Sequence, residues 1–314
     1  MRDAIGGYFG LELRQGTHYH KDALRLNTGR NCLAYVLQAR GYKHVWLPYY
    51  TCEVLLEPIR RLAVSYSFYA INEQLDPASL PILHEGEAFL YTNYYGLKQK
   101  TIEQLAAHYG PQLIVDNAQA FFAPRIADID TFYTARKFFG VPDGAYLYID
   151  KTIDTELPQE VSYDRISHLM KRIDANAETG FADYQQHEEE LCNQPIKKMS
   201  NMTARIMENI DYEAVMQRRK ENYQIAQEAL QGTNQLALDL GDAVPMVYPY
   251  WTKNGKELRE RLQKNRIYVA TYWGNVLEWN SPALEQSLAM NLLPLPIDQR
   301  YTLNELENIK SYIL

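Results

Sequence analysis

The alternation of short apolar runs with helical segments most narrowly limits the fold of this chain. Over the first two thirds of the sequence, buried strands are predicted at residues 45–48, 64–71, 88–92, 112–116 and 144–149. Segments of helical spacing separate these runs, for example at 101–108. Such alternation predicts an α/β protein with a mostly parallel sheet and helices on both faces. In sheets of this kind, ligands bind beyond the carboxyl ends of the strands.

The remainder of the chain predicts a smaller lobe. Residues 151–205 are polar and helical in pattern, and a long amphipathic helix follows at 211–231. The predicted order after it is strand 243–251, helix 255–263, strand 267–272, helix 282–290, strand 292–296 and helix 303–313. We therefore expect a large α/β domain over residues 1–205 and a small α+β domain over residues 206–314.

Composition and charge exclude several classes of function. The chain has 314 residues and a net charge of −7, whereas binding to nucleic acid or to an anionic membrane surface requires positive charge. The three cysteines lack the spacing of a disulfide framework or a zinc ribbon. His18, His20 and His187 lack the neighbours of a metal site. We expect no metal, nucleic-acid or membrane partner, and a cytoplasmic location.

Asp116 and Lys137 form the most informative pair of residues. Asp116 ends an apolar run, where a carboxylate is costly unless it is paired, and Lys137 stands in an aromatic segment beside Phe138 and Phe139. Taken singly, the aspartate could cap a helix and the lysine could lie at the surface. Together they match pyridoxal 5′-phosphate (PLP), whose aldehyde forms an imine with a lysine and whose ring nitrogen stays protonated beside a carboxylate. We expect Lys137 to be partly desolvated by the two phenylalanines.

A second set of residues predicts an anion site. Thr28, Gly29, Arg30 and Asn31 stand at a helix start, where free backbone N–H groups and the helix dipole attract negative charge. Glycine lets the backbone approach a ligand closely, and the side chains of Thr28 and Asn31 can add donors. The same pattern also fits an ordinary capped helix.

An aromatic turn follows the strand at 45–48. Tyr50 lies in this turn with Cys52 shortly after it, and a ring at such a position can cover a planar cofactor. Core packing of the aromatic residues is the alternative interpretation.

Taken in order, these segments resemble the DegT/DnrJ/EryC1/StrS group of fold-type I PLP enzymes, often called sugar aminotransferases. The resemblance covers most of the chain. It is carried by residues 92–96 (Thr-Asn-Tyr-Tyr-Gly), 113–120 (Leu-Ile-Val-Asp-Asn-Ala-Gln-Ala), and more weakly by 5–8 and 295–296. It implies a seven-stranded, mainly parallel sheet with a small C-terminal lobe.

The resemblance also implies roles for individual residues. Lys137 is expected to hold PLP as the internal aldimine, Asp116 to pair with the pyridine nitrogen, and Gln119 to contact the hydroxyl side of the ring. The phosphate is expected to be held by Gly29, Arg30 and Thr134.

The expected assembly is a homodimer with the active site at the interface, so that Lys197 or Lys198 of the partner subunit reaches the phosphate. This sequence has Cys52 where the family usually has a ring-stacking aromatic residue. Either Tyr50 or another ring is expected to replace it, unless the stacking differs. Arg30 and Asn31 are also bulkier than the residues usual in the phosphate loop of the family.

The implied function is PLP-dependent amino-group transfer, with a nucleotide-linked keto-sugar or a similar small keto compound as acceptor. Two alternatives remain open at this point. One is a PLP enzyme of another reaction type, a lyase, a dehydratase or an amino-acid-directed enzyme. Family members that dehydrate sugars have histidine at the lysine position, whereas this chain has Lys137. The other alternative is a non-catalytic protein with the same fold.

Overall fold

The computed structural model describes residues 5–314, so the first four residues of the predicted large domain lie outside the description. Its main feature is a seven-stranded sheet in the order β1-β7-β6-β5-β4-β2-β3. The strands are β1 (Leu24–Leu26), β2 (His44–Pro48), β3 (Ser65–Tyr69), β4 (Glu87–Thr92), β5 (Leu113–Asn117), β6 (Asp130–Thr134) and β7 (Ala145–Tyr148). Only β7 runs against the others. The predicted α/β class with a mainly parallel sheet is confirmed.

The central strands are apolar on both faces because helices and loops cover both sides of the sheet. Ala88 and Leu90 of β4 pack with Leu33 and Val36 on one side. The intervening Phe89, with its neighbours on other strands, packs into a second cluster on the opposite side. This alternation with a period of two fixes which side chains of each strand face each layer.

Ten α-helices surround the two sheets of the described chain. They are α1 (Gly29–Arg40), α2 (Leu56–Arg61), α3 (Gln99–Tyr109), α4 (Ser167–Asp174), α5 (Phe181–Glu190), α6 (Asn201–Glu208), α7 (Tyr212–Leu230), α8 (Gly255–Lys264), α9 (Ala283–Asn291) and α10 (Leu303–Ser311). Helix α1 is closed at both ends by its own residues. Thr28 accepts a hydrogen bond from the N–H of Asn31, and Gly41 ends the helix in the left-handed conformation at φ +71°.

The C-terminal part contains a second sheet of two antiparallel strands, β8 (Tyr248–Trp251) and β9 (Leu292–Leu295). Helices α7, α8 and α10 contribute to a separate apolar cluster with these strands. The strand predicted at 267–272 is wrong. Those residues are irregular, and the second sheet consists of β8 and β9 without them. The division into two domains at residue 205 stays a prediction.

Two strands of the large sheet were not expected from the sequence. β1 has three residues, too few to show a period. β6 carries Asp130, Thr131 and Thr134 among its five residues, so it does not resemble an apolar strand although it is buried throughout. Among residues 5–314, no helix is both long enough and apolar enough to cross a bilayer.

Candidate functional site

Asp116 and Lys137 lie at the carboxyl edge of neighbouring strands. In the parallel pair β5–β6, Asp116 stands opposite Phe132, and Lys137 follows the end of β6 by three residues. The carboxylate is buried and its Oδ1 accepts a hydrogen bond of 2.8 Å from the N–H of Ala118. Burial raises the pKa of Asp116, and the positive charge of Lys137 opposes that rise. The two side chains are therefore close enough to interact electrostatically.

The turn that carries Lys137 is anchored on both sides. The N–H of Ala135 donates to the Gly144 carbonyl at 3.0 Å, and the N–H groups of Phe138 and Phe139 both donate to the Ala135 carbonyl. The two phenylalanines are buried, whereas Lys137 itself is exposed in the single chain. The expected partial desolvation of the lysine by these rings is therefore wrong for the single chain, because the rings point into the core.

Tyr272 covers the amine of Lys137. The Nζ atom lies 5.9 Å from the centroid of this half-buried ring, within reach of a cation–π interaction. Tyr272 comes from the irregular segment after α8, and nothing in its local sequence marks it as part of the site. Only the fold brings it there.

Gln119 offers an unused donor in a buried position. Its Oε1 accepts a hydrogen bond of 3.0 Å from the N–H of Tyr95, while its Nε2 has no hydrogen-bond partner among the described residues. The backbone at Gly96 (φ +80°) lies close to Gln119, since a Cβ added to Gly96 would stand 3.3 Å from the Gln119 carbonyl oxygen. A buried amide with an unpaired N–H is costly, and an acceptor on a ligand would satisfy it.

The start of α1 faces the end of β6. A Cβ added to Gly29 would lie 3.8 Å from the Phe132 ring and 4.0 Å from the Cβ of Thr134. The Asn31 N–H is taken by Thr28, while the N–H groups of Gly29 and Arg30 precede the first helical hydrogen bond and have no described partner. Thr134 makes only a long hydrogen bond of 3.4 Å to the Gly144 carbonyl. This corner therefore has the donors that an anion requires.

The side chains of Arg30 and Asn31 are engaged elsewhere. Arg30 forms an ion pair of 2.5 Å with Glu57. Burial alone would lower the pKa of Arg30, but the hydrogen bond to the Glu57 carboxylate and its charge help to raise that pKa overall. The Asn31 amide donates to the Asn27 side chain at 3.0 Å and to the Pro195 carbonyl at 2.8 Å. The predicted contribution of these two side chains to phosphate binding is thus replaced by a structural one, and the backbone N–H groups of Gly29 and Arg30 remain as the candidate contacts.

Tyr50 is not placed to cover a ligand. It is fully buried, its hydroxyl lies 3.1 Å from that of Tyr95, and its ring packs edge-on against Trp273 at 4.8 Å. Cys52, in contrast, is half-buried and lies close enough to Lys137 for that charge to lower its pKa, although burial raises the value overall. Of the two predicted residues, only Cys52 borders the lysine.

Lys197, which the resemblance assigns to the phosphate of a partner subunit, has a partner in its own chain, since it pairs with Glu160 at 3.1 Å. Within the described residues, no group of three or more histidine, cysteine or acidic side chains is arranged to hold a metal ion.

Comparison with known proteins gives matches only among solved structures, since no family model and no curated protein matches the chain. An aminotransferase of the DegT DnrJ EryC1 StrS type from Brucella abortus superposes with a TM-score of 0.62 at 15% identity, covering 93% of this chain and 84% of that one. NtdA from Bacillus subtilis, solved with bound cofactor PMP, gives 0.65 at 14% identity, with 93% and 72% covered. The sugar aminotransferase CalS13 from Micromonospora echinospora gives 0.62 at 14% identity, with 93% and 86% covered. This chain has the fold of these aminotransferases. The predicted resemblance is confirmed at the level of the fold.

Proposed function

We propose that this protein is a PLP-dependent aminotransferase in which Lys137 binds the cofactor covalently. The observation that supports this most strongly is the meeting of Asp116 and Lys137 at the carboxyl edge of β5 and β6. A buried carboxylate without an ion-pair partner of its own, facing a lysine amine, has few explanations in a purely structural site. The fold shared with known aminotransferases adds independent support.

The residues around this pair fit each polar part of PLP. Asp116 fits the ring nitrogen, because burial leaves its carboxylate in need of a cation. The unpaired Nε2 of Gln119 fits the ring hydroxyl, and the first N–H groups of α1 fit the phosphate. Thr134 and Thr28 stand beside those N–H groups. Tyr272 covers the lysine from the C-terminal part of the chain and takes over the role first considered for Tyr50.

When bound, PLP supplies an electron-accepting ring and carries the amino group between substrates. The chain supplies the proton chemistry. The Nζ of Lys137, once free, would accept a proton from the substrate carbon and deliver it to the cofactor carbon that bears the amino group. Asp116 stabilises positive charge on the ring nitrogen, and the Tyr272 ring keeps water from one side of the Lys137 amine. Overall, an amine becomes a keto compound while a keto compound becomes an amine, so no external oxidant is needed.

We further propose a small keto compound, such as a nucleotide-linked keto-sugar, as the acceptor. The basis is the analogy with the sugar aminotransferase CalS13, whose fold this chain shares. A homodimer is part of the proposal, since Lys137 is exposed in the single chain and the apolar side chains of Ile5, Tyr8 and Phe9 are almost fully exposed. Sedimentation velocity at micromolar concentration tests the dimer. Lys197 of the partner subunit is a weaker candidate for the phosphate, because Lys197 already pairs with Glu160.

Borohydride trapping tests the cofactor assignment. The protein is incubated with PLP, reduced, digested and analysed by mass spectrometry. We expect the adduct on the peptide that contains Lys137 and its loss in Lys137→Ala. Lys100→Ala is the matched control, because that side chain is 86% exposed and its ion-pair partner is Asp239. An adduct that persists in Lys137→Ala would refute the proposal.

A screen of amino donors tests the reaction type. Transamination converts the bound cofactor to its aminated form, and the change in absorbance reports it. Elimination or another lyase reaction leaves the cofactor unchanged after turnover, and that result would favour the alternative PLP chemistry.

A further inference from the structure

Arg219 is a buried cation with no carboxylate partner among residues 5–314. It lies on α7, is 1% exposed, and is the largest fully buried side chain of the described residues. Its Nη1 donates to the carbonyls of Met246 at 2.9 Å and Pro245 at 3.3 Å. The nearest acidic candidate, Asp298, is paired with Arg300 at 2.7 Å.

Stability alone does not explain such a residue. Burial lowers the pKa of Arg219 to about 10, which reflects the cost of keeping its charge away from water. Replacing buried charged groups by apolar side chains of similar volume is often neutral or stabilising. A guanidinium held only by carbonyls and an amide therefore requires another explanation.

The contacts of Arg219 lead to the lysine turn. Its Nε donates to the Oε1 of Gln299 at 3.0 Å, and the Nε2 of Gln299 donates to the Phe138 carbonyl at 2.8 Å. The guanidinium carbon also lies 4.5 Å from the centroid of the Phe138 ring. Phe138 immediately follows Lys137, so Arg219 contacts this turn directly through the ring and indirectly through Gln299.

We propose that Arg219 and Gln299 form a bracket that positions Lys137, by fixing the backbone and the ring of Phe138 from the C-terminal part of the chain. This inference rests on the proposed role of Lys137. Besides this bracket, the turn is held by the hydrogen bonds of Ala135 and by the ion pair of Arg136 with Glu188. Small displacements of a reacting group lower rates strongly, since an error of about 1 Å can cost about 10²-fold.

The competing explanation is that Arg219 only fastens α7 to residues 245–246. Arg259 provides a matched control for it. Burial lowers the pKa of Arg259 as well, and its two Nη atoms donate to the carbonyls of Met290 at 2.9 Å and Leu292 at 2.8 Å. It has no described contact with the lysine turn. Arg219→Met and Arg259→Met therefore remove the same kind of group from the same part of the chain.

The first measurement uses the cofactor-free protein. We expect amide hydrogen exchange of a peptide covering 135–141 to be at least about tenfold faster in Arg219→Met and in Gln299→Met than in wild type, and unchanged in Arg259→Met. Gln299→Met leaves the Arg219 contacts to Pro245 and Met246 in place, so it tests the bracket even if Arg219→Met fails to fold. Unchanged exchange of 135–141 in Gln299→Met would overturn the bracket.

The second measurement uses the holoenzyme. We expect kcat to fall about 10- to 100-fold in Arg219→Met, with KM within about threefold of wild type, because the lysine is displaced while substrate contacts remain. If Arg219 acts partly through Gln299, the double variant loses less than the product of the two single losses. Equal kcat losses in Arg219→Met and Arg259→Met would overturn the proposal. Failure of the wild type to bind PLP would refute the proposed function instead, while the exchange experiment would still decide whether the bracket exists.

Discussion

Two buried aspartates, Asp130 and Asp116, lie at opposite ends of the neighbouring strands β6 and β5. They differ in whether the chain supplies a cation to pair with them. Asp130 begins β6 and receives two hydrogen bonds from Arg40, at 2.8 Å from Nε and 2.6 Å from Nη2. Asp116, near the end of β5, receives one from the Ala118 N–H and forms no ion pair within 4.0 Å in the described chain. At the amino end the protein neutralises its own carboxylate. At the carboxyl end it leaves one available, which is the condition for binding a cationic ligand group.

Helix α1 connects the two ends. Its first residue, Gly29, lies beside the end of β6, and its last residue, Arg40, is the partner of Asp130. The helix dipole favours a cation at the C-terminus and an anion at the N-terminus. The cation is supplied by the chain as Arg40, whereas the first turn of α1 contains no acidic residue. The proposed phosphate would supply the anion at that end.

The largest effect that tests this contrast is expected from Asp116→Asn. If this carboxylate serves a ligand, its loss should lower kcat/KM for amino transfer by about 10²- to 10³-fold, as for other electrostatic groups that act on developing charge. The folded state should not be weakened, because an amide is easier to bury than a carboxylate. Steady-state kinetics and urea unfolding of the same preparation measure both. A large loss of stability with intact turnover would reverse the assignment.

Asp130→Asn should give the opposite results, a loss of stability with nearly unchanged turnover. Removing one partner of a buried ion pair typically costs about 3–5 kcal/mol of unfolding free energy. The lower end is expected here, since exposed Asp150 also contacts Arg40. Turnover per folded molecule should stay within about twofold of wild type. Denaturant unfolding gives the first quantity, and kinetics corrected for the folded fraction gives the second. A 100-fold kinetic defect in fully folded protein would remove the distinction between the two ends.

The pH dependence of stability offers a finer comparison. Burial raises the pKa of Asp116 from 3.8 despite the charge of Lys137. The folded protein thus keeps this proton to a higher pH than the unfolded chain does, so stability falls as the pH rises from about 4 through the raised pKa. The unfolding free energy of cofactor-free wild type minus that of Asp116→Asn should fall across that pH window and stay constant below it. Urea unfolding between pH 3 and pH 7 checks the sign. A rise in this free-energy difference across the window would indicate that a cation is already paired with Asp116.

The sequence predicted the parts of this site that are local in the chain. Asp116 follows an apolar run, and Lys137 lies between aromatic residues that mark a buried turn, so each could be found from its neighbours. The helix start at Thr28 was found in the same way from its capping pattern. The pairing of β5 with β6 was not predicted, because β6 does not resemble an apolar strand.

The missed features depend on contacts between distant residues. Arg30 is taken by Glu57, and Asn31 by Pro195, 164 residues away, so nothing near these side chains indicates that they are occupied. From the C-terminal part of the chain, Tyr272 reaches the lysine and Arg219 reaches the neighbouring Phe138. Such pairings are decided by packing of the whole chain, which a single sequence does not reveal.

The smallest effects are expected at the two ends of α1. Thr28→Ala removes the side chain that accepts the Asn31 N–H and should cost about 1 kcal/mol of unfolding free energy. Gly41→Ala places a Cβ at φ +71° and should cost about the same. The two variants differ in function, because only Thr28 lies at the end left open for a ligand. Fluorescence titration with PLP should show a severalfold higher Kd for Thr28→Ala and an unchanged Kd for Gly41→Ala. Equal affinities in two variants of equal stability would mean that the N-terminus of α1 does not hold the phosphate, and the contrast would then rest on Asp116 and Asp130 alone.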